Sequence, residues 1–207
     1  MNIGCCTGRH NRAMARRAVG SNQYKTRVGS PDVQTPDVDL MAQVGSRLAE
    51  FPQGKRMKLA ENPLTPPEVL AHLAHDTDWG VRGLVAEHSN TPPEVLARLA
   101  GDKNADVRQC VAAHSNTPPG VLARLAGDKN ADVRNVVAEN PSTPPDILTQ
   151  LAGDRLDWVR NSVAENRNTP PEVLVLLAGD VDADVRQAAE ANPSFSEEYR
   201  ALRRVAQ

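Results

Sequence analysis

Apolar residues fall in short clusters with a helical spacing along most of the chain. Val69, Leu70, Leu73 and Ala74 form one cluster, and Val95, Leu96, Leu99 and Ala100 repeat it 26 residues later. Positions i, i+1, i+4 and i+5 share one face of an α-helix, so each cluster predicts a short amphipathic helix. A second kind of cluster lies between these. Val107, Cys110, Val111 and Ala112 make one, and Val133, Val136, Val137 and Ala138 make the next. Their spacing is also helical, which predicts two helices per unit.

The punctuation between clusters repeats too. Thr-Pro-Pro begins at Thr65, Thr91, Thr117, Thr143 and Thr169, always 26 residues apart. Threonine suits an N-cap and proline the first helical position. Glu68, Glu94 and Glu172 follow the Thr by three residues, the spacing of a capping box. Gly101, Gly127, Gly153 and Gly179 stand where a glycine just past the helix would end it. Asn-Pro pairs such as Asn140-Pro141 and Asn192-Pro193 close the unit. A unit this small buries too little apolar surface to offset the ordering of its backbone, so it is stable only in a stack.

The predicted fold is therefore all-α, a solenoid of about five to six 26-residue, two-helix repeats with no β-sheet. Residues 65–194 hold five repeats in register, and 39–64 form a degenerate first unit with Leu40, Met41, Val44 and Leu48 as its stripe. Residues 195–207 are expected to be a charged terminal helix. Residues 1–38, rich in Gly, Ser, Asn and Pro, are expected to be a flexible arm.

Composition agrees with thin layers. Apolar residues make up 40% of the chain but aromatics only 3%, so the core consists of Val, Leu and Ala. No apolar run approaches the ~18–20 residues of a membrane span, and no secretory h-region follows the N-terminal bases. Three cysteines make no disulfide framework, so a cytoplasmic location is expected. The net charge of −2 hides an asymmetry. Met1 to Pro31 holds six bases (Arg9, Arg12, Arg16, Arg17, Lys25, Arg27) and no acid, ahead of an acidic body.

The Thr-Pro-Pro-Glu-Val-Leu-x-x-Leu-Ala core, with Asp-Val-Arg-x-x-Val-Ala downstream, resembles the variant leucine-rich repeat of bacterial proteins over roughly residues 50–194. The resemblance implies two layers of short helices, one of which can be 3₁₀, wound into a right-handed superhelix. HEAT-like repeats are the neighbouring architecture. Members of the family can hold an iron–sulfur centre on an N-terminal cysteine cluster. A cubane wants four thiolates; the arm has only Cys5 and Cys6, and Cys110 occupies a core column. No cofactor is carried over.

Two charged columns run through the array. Arg82, Arg108, Arg134, Arg160 and Arg186 form one, with Arg56 ahead of them, and Asp76, Asp102, Asp128, Asp154 and Asp180 form the other. Residues required in every unit read as structural. The Arg is expected to pair with Glu87, Glu139, Glu165 or a column Asp, and the Asp to make an Asx turn or N-cap. His88 and His114 replace Asn62, Asn140, Asn166 and Asn192 of other units, which points to a turn rather than a metal. Cys5, Cys6 and His10 are the remaining metal candidates. No nucleophile–base set or phosphate-binding loop is present, so no enzymatic activity is expected.

Function is expected where the units differ. These positions include Arg98, Arg124 and Gln150 on the first helices and Gln109, Asn135 and Asn161 on the second. Trp79 and Trp158 near second-helix starts are candidate anchors. The leading reading is a scaffold that binds another protein on its concave surface. The alternative is nucleic-acid or anionic-surface binding led by the six arm bases. Metal or iron–sulfur binding by the arm cysteines is third.

Overall fold

The computed structural model describes residues 47–195. Helical residues 47–50 lead into α1 (Gln53–Glu61), after which helices alternate in length. The seven-residue helices are α2 (Pro67–Leu73), α4 (Pro93–Leu99), α6 (Pro119–Leu125), α8 (Pro145–Leu151) and α10 (Pro171–Leu177). The nine-residue helices after α1 are α3 (Trp79–Glu87), α5 (Ala105–Ala113), α7 (Ala131–Glu139), α9 (Asp157–Glu165) and α11 (Ala183–Ala191). No strand occurs among the described residues. The basic arm and the terminal helix expected beyond residue 195 lie outside them.

The short helices start differently from the capping-box expectation. The first proline is the N-cap, with Pro92 at φ −63° and ψ 147°, and Pro93 opens the helix. A residue before proline is driven out of the helical region, so in Thr-Pro-Pro only the second proline can begin a turn. The threonine is thus one position too early to cap. Its hydroxyl instead donates backwards: Thr143 is fully buried, and its Oγ1 lies 2.6 Å from the Val137 carbonyl oxygen of α7. Each threonine clasps the end of a long helix to the start of the next short one.

The glycine expectation also changes. None of Gly101, Gly127, Gly153 and Gly179 adopts a left-handed φ. The short helix instead unwinds through three-residue turns, with Gly127 N–H donating to Arg124 O at 3.2 Å and Asp128 N–H to Leu125 O at 3.0 Å. Long helices begin at side-chain caps. Asn130 accepts from the N–H groups of Asp132 and Val133, and Asp182 does the same for Asp184 and Val185. Leu156 occupies this position in one unit and makes no such bond.

The apolar stripes meet in one continuous core. Leu70, Leu96, Leu122, Leu148 and Leu174 of the short helices are fully buried, as are Val81, Val107, Val133, Val159 and Val185 of the long ones. Small residues let the long helices approach: Ala60, Ala86, Ala112, Ala138 and Ala164 are buried in the same column. Consecutive long helices pack directly on one another, whereas each short helix packs mainly against the long helices before and after it. Stacking that is tight in one layer and open in the other puts the long helices on the inner side of the curve.

Units are also tied through the backbone. Asn140 Nδ2 donates to the Ala112 and His114 carbonyls at 2.6 and 3.3 Å, and its Oδ1 accepts from Ser142 N–H. Asn166 and Asn192 repeat this one and two units on.

Candidate functional site

The repeated arginines are committed to the fold. Five of the six form a two-pronged ion pair with the column aspartate of the following unit: Arg56–Asp76, Arg82–Asp102, Arg108–Asp128, Arg134–Asp154 and Arg160–Asp180; Arg186 donates to the Asp180 and Val181 carbonyls of its own unit. Arg134 Nε and Nη2 lie 2.6 and 3.0 Å from the two oxygens of Asp154, and its Nη1 donates to the Asp128 carbonyl of its own unit. These five arginines take the column aspartates rather than Glu87, Glu139 or Glu165.

Each column aspartate also makes the expected Asx turn, as in the bond from Asn130 N–H to Asp128 Oδ1. Burial alone would raise the Asp128 carboxyl, but the Arg108 guanidinium and the Asn130 N–H hold it below the usual carboxylate range. For Asp180 the Arg160 bond is the largest influence, and the net shift has the same direction. These arginines are therefore not a phosphate-binding edge.

The two histidines stand in for asparagine. His88 Nε2 meets the Asn62 carbonyl at 2.9 Å while its Nδ1 accepts from Asn90 N–H, and His114 does the same with His88 O and Asn116 N–H. Both ring nitrogens are occupied, with the proton on Nε2. Among the described residues no three His, Cys, Asp or Glu side chains gather to hold a metal. Cys5, Cys6 and His10 lie outside those residues, as do the six arm bases.

The variable residues fall on two faces rather than one. Arg98, Arg124 and Gln150 are exposed on the short-helix side. There Arg98 donates to Ala71 O at 3.0 Å and Arg124 to Ala97 O at 2.6 Å, so both clasp neighbouring units. Gln109, Asn135 and Asn161 lie on the long-helix side and are half-buried. Asn135 donates to Glu139 and accepts from Ser162, and Asn161 donates to Glu165. Trp79 and Trp158 are 38% and 39% exposed, at the first position of α3 and the second of α9.

The inner face has a charge pattern that the variable positions alone do not reveal. The second, fifth and ninth positions of a long helix share one side; in α5, α7 and α9 the second and ninth are exposed and the fifth half-buried, while in α3 the glycines at the second and fifth are buried. In α5 the three are Asp106, Gln109 and Ala113, in α7 Asp132, Asn135 and Glu139, and in α9 Trp158, Asn161 and Glu165. With Glu61, Glu87 and Asp184, the face displays seven carboxylates, all exposed. From α3 to α11 no Lys or Arg occupies any of these positions.

The face is continuous across units, since Ser162 Oγ reaches Asn135 Oδ1 at 2.8 Å and Cys110 Sγ lies 3.3 Å from Glu87 Oε1. Partial burial pushes the Glu87 carboxyl above its ordinary value. Burial does the same at Glu139, where the Glu165 charge adds to it and the Asn135 bond opposes it. The basic residues Lys103, Lys129 and Arg155 sit in the turns before the long helices, on the rim. The sequence signal was the lack of bases at these positions, legible once the long helices are known to face inward.

No helix among the described residues is long and apolar enough to cross a membrane. Comparison with known proteins places the repeat. The family model described as leucine rich repeat variant matches four times, at 79–104, 105–130, 131–156 and 157–182. These boundaries coincide with the helix pairs that begin at α3, α5, α7 and α9. A solved structure described as a leucine-rich repeat variant with a novel repetitive structural motif aligns at TM-score 0.60 and 30% identity, over 79% of this chain. The chain spans 64% of that structure's length.

An Escherichia coli structural-genomics protein aligns at TM-score 0.46 and 19% identity over 80% of this chain and 75% of its own. An engineered protein aligns at 0.44 and 19%, over 72% and 93%. No curated protein sequence matches. The repeat model, in register with helix pairs joined by the Arg–Asp and Asn ladders, makes this chain a member of the leucine-rich repeat variant family, a helical solenoid.

Proposed function

We propose that the chain is a non-catalytic scaffold that binds another protein along the inner face of its long helices, and that the segment it takes is cationic. One observation carries this reading: from α3 to α11 the face shows six exposed carboxylates and no base, with Glu61 of α1 ahead of them. Such a face attracts lysine- and arginine-rich peptide and repels phosphate. Half-buried Asn135 and Asn161 supply hydrogen-bonding groups between the charges, and Trp158, alone in a column otherwise Gly or Asp, supplies an aromatic surface for a guanidinium. Arg98, Arg124 and Gln150 on the opposite layer have no part in it. Nucleic-acid binding rests on the arm bases alone, with the carboxylates of the body opposing it.

The test uses the full-length chain with its six arm bases changed to Gln, so that the arm bases do not compete with the peptide for the carboxylates. A fluorescent Lys/Arg-rich peptide is titrated at low salt, followed by anisotropy. Exposed ion pairs are each worth roughly 0.5 kcal/mol, so adding Asp132→Asn, Glu139→Gln and Glu165→Gln should weaken binding about tenfold. Equal binding by the two chains defeats the assignment of the face.

A further inference from the structure

The arginine–aspartate ladder is complete inside the stack and open at both ends. Each pair spans 20 residues, as from Arg134 to Asp154. Twenty residues beyond Arg186 the sequence has Ala206, and twenty before Glu50 it has Ser30. Glu50 stands in the aspartate column, 26 residues before Asp76. One end of the ladder therefore offers an arginine and the other a carboxylate. We propose that the two ends join between copies: Arg186 of one chain takes Glu50 of a second, so that chains associate head to tail.

The inner rungs show what the open arginine takes. Arg134 holds Asp154 through Nε and Nη2 and anchors its Nη1 on the Asp128 carbonyl. Arg186 has the same anchor, with Nη1 2.7 and 2.9 Å from the Asp180 and Val181 carbonyl oxygens. Among the described residues its Nε and Nη2 meet no acceptor. The planar fork is thus fixed ready for two carboxylate oxygens, with little side-chain freedom left to lose on binding. Glu50, at the end of helical residues 47–50, is exposed. A column aspartate also accepts from the N–H two residues on, as Asp128 does from Asn130. After Glu50 that position is Pro52, which has no N–H to give.

A second column points to the same partner. Lys129 and Arg155 line the cleft around the Arg134–Asp154 pair. Their column reads Phe51, Thr77, Lys103, Lys129, Arg155 and Val181. It is polar or basic inside the stack and apolar only at its two ends, where Phe51 is 39% and Val181 93% exposed. A head-to-tail junction sets Val181 against Phe51 where inner units bring Lys129 and Arg155 together. That contact covers two exposed apolar side chains and keeps water from one side of the new ion pair, which strengthens it. The ends match in charge and in apolar surface, which makes a second copy the occupant. The two patches differ from each other, so the contact is heterologous and does not close on two chains.

The junction is narrow, so association is weak and is followed by sedimentation equilibrium of the full-length chain at low salt, up to about 1 mM. The weight-average mass of wild type should rise steadily with concentration. E50R and R186E should each stay monomeric, with unchanged circular dichroism. An equimolar mixture of the two should associate again, because mixing restores opposite charges at every junction. E50Q, on an exposed side chain, should weaken association about tenfold, and V181K, which supplies the basic residue of the inner units, should do the same. A wild type that stays monomeric throughout overturns the proposal. So does association that survives R186E or E50R at full strength, or that the mixture fails to restore. A mass that levels off at twice the monomer would mean a symmetric dimer and refute the head-to-tail junction. The inner-face carboxylates are intact in all four variants, so the cationic-segment reading stands or falls separately.

Discussion

Asp154 joins two units and caps a turn, so its removal tests the ladder directly. Its carboxylate takes Arg134 Nε and Nη2 at 2.6 and 3.0 Å and the Leu156 N–H at 3.0 Å. The Arg134 and Asp154 side chains are only 10% and 7% exposed. Removing one partner of a buried pair costs about 3–5 kcal/mol. Arg134 would keep its bond to the Asp128 carbonyl, and water reaches the rim, so Asp154→Ala should fall at the lower end, about 3 kcal/mol. Asp154→Asn keeps an acceptor for the turn and a neutral acceptor for the arginine, and should cost about 1–2 kcal/mol.

The pH dependence fixes the charge component. Burial would raise the Asp154 carboxyl, but the Arg134 bond and the Leu156 N–H hold it below its ordinary value. The unfolded chain therefore binds this proton more readily than the folded one. The stabilisation is complete above the unfolded value near ~3.9 and is lost as pH falls through the lower folded value. The gap between wild type and Asp154→Asn should thus hold from about pH 7 to 5 and narrow below about 4. Urea titrations followed by far-ultraviolet circular dichroism, with an unchanged slope, measure it. An Ala variant within about 0.5 kcal/mol of wild type, or a gap that stays constant on acidification, refutes the account.

Other substitutions separate the remaining structural claims. Leu125→Ala, at 1% exposure, should cost about 2–5 kcal/mol, whereas Arg124→Ala removes one surface bond and should cost under about 1 kcal/mol; equal denaturant midpoints would mean that the helix face is misassigned. Thr143→Asp would suit an N-cap but here sets a carboxylate against the Val137 carbonyl, so it should cost at least about 3 kcal/mol more than Thr143→Ser. Similar melting curves for those two variants would restore the capping role. Gly127→Ala should be neutral or stabilising by up to about 1 kcal/mol, because the added Cβ meets only Arg124 O, at 3.6 Å; a loss of that size would reveal a conformation that needs glycine.

Local chemistry made much of the molecule readable in advance. The Leu70 and Val107 columns were legible because apolar period and helix face are properties of a few adjacent residues. The turn role of His88 followed from its asparagine equivalents. Even the threonine's place was available, since a proline before a proline cannot be helical. The glycines misled because helices also end through three-residue turns, which need no left-handed residue.

The repeat length, the two helices per unit and the side of each helix that is buried are all set within 26 residues of sequence. Only the stacked structure decided who meets whom between units. Arg134 had glutamates and aspartates within reach along the chain, and the choice of Asp154, 20 residues on, depends on the offset between adjacent layers. The same offset carries the Asn140 amide to a carbonyl 28 residues back. Which layer is inner follows from how closely the alanine-bearing helices approach, and that curvature gathers Glu87, Asp132, Glu139 and Glu165 on one side while sending Arg98 and Arg124 to the other. A local pattern fixes the face of each helix; the direction of that face in the assembled protein is a property of the stack.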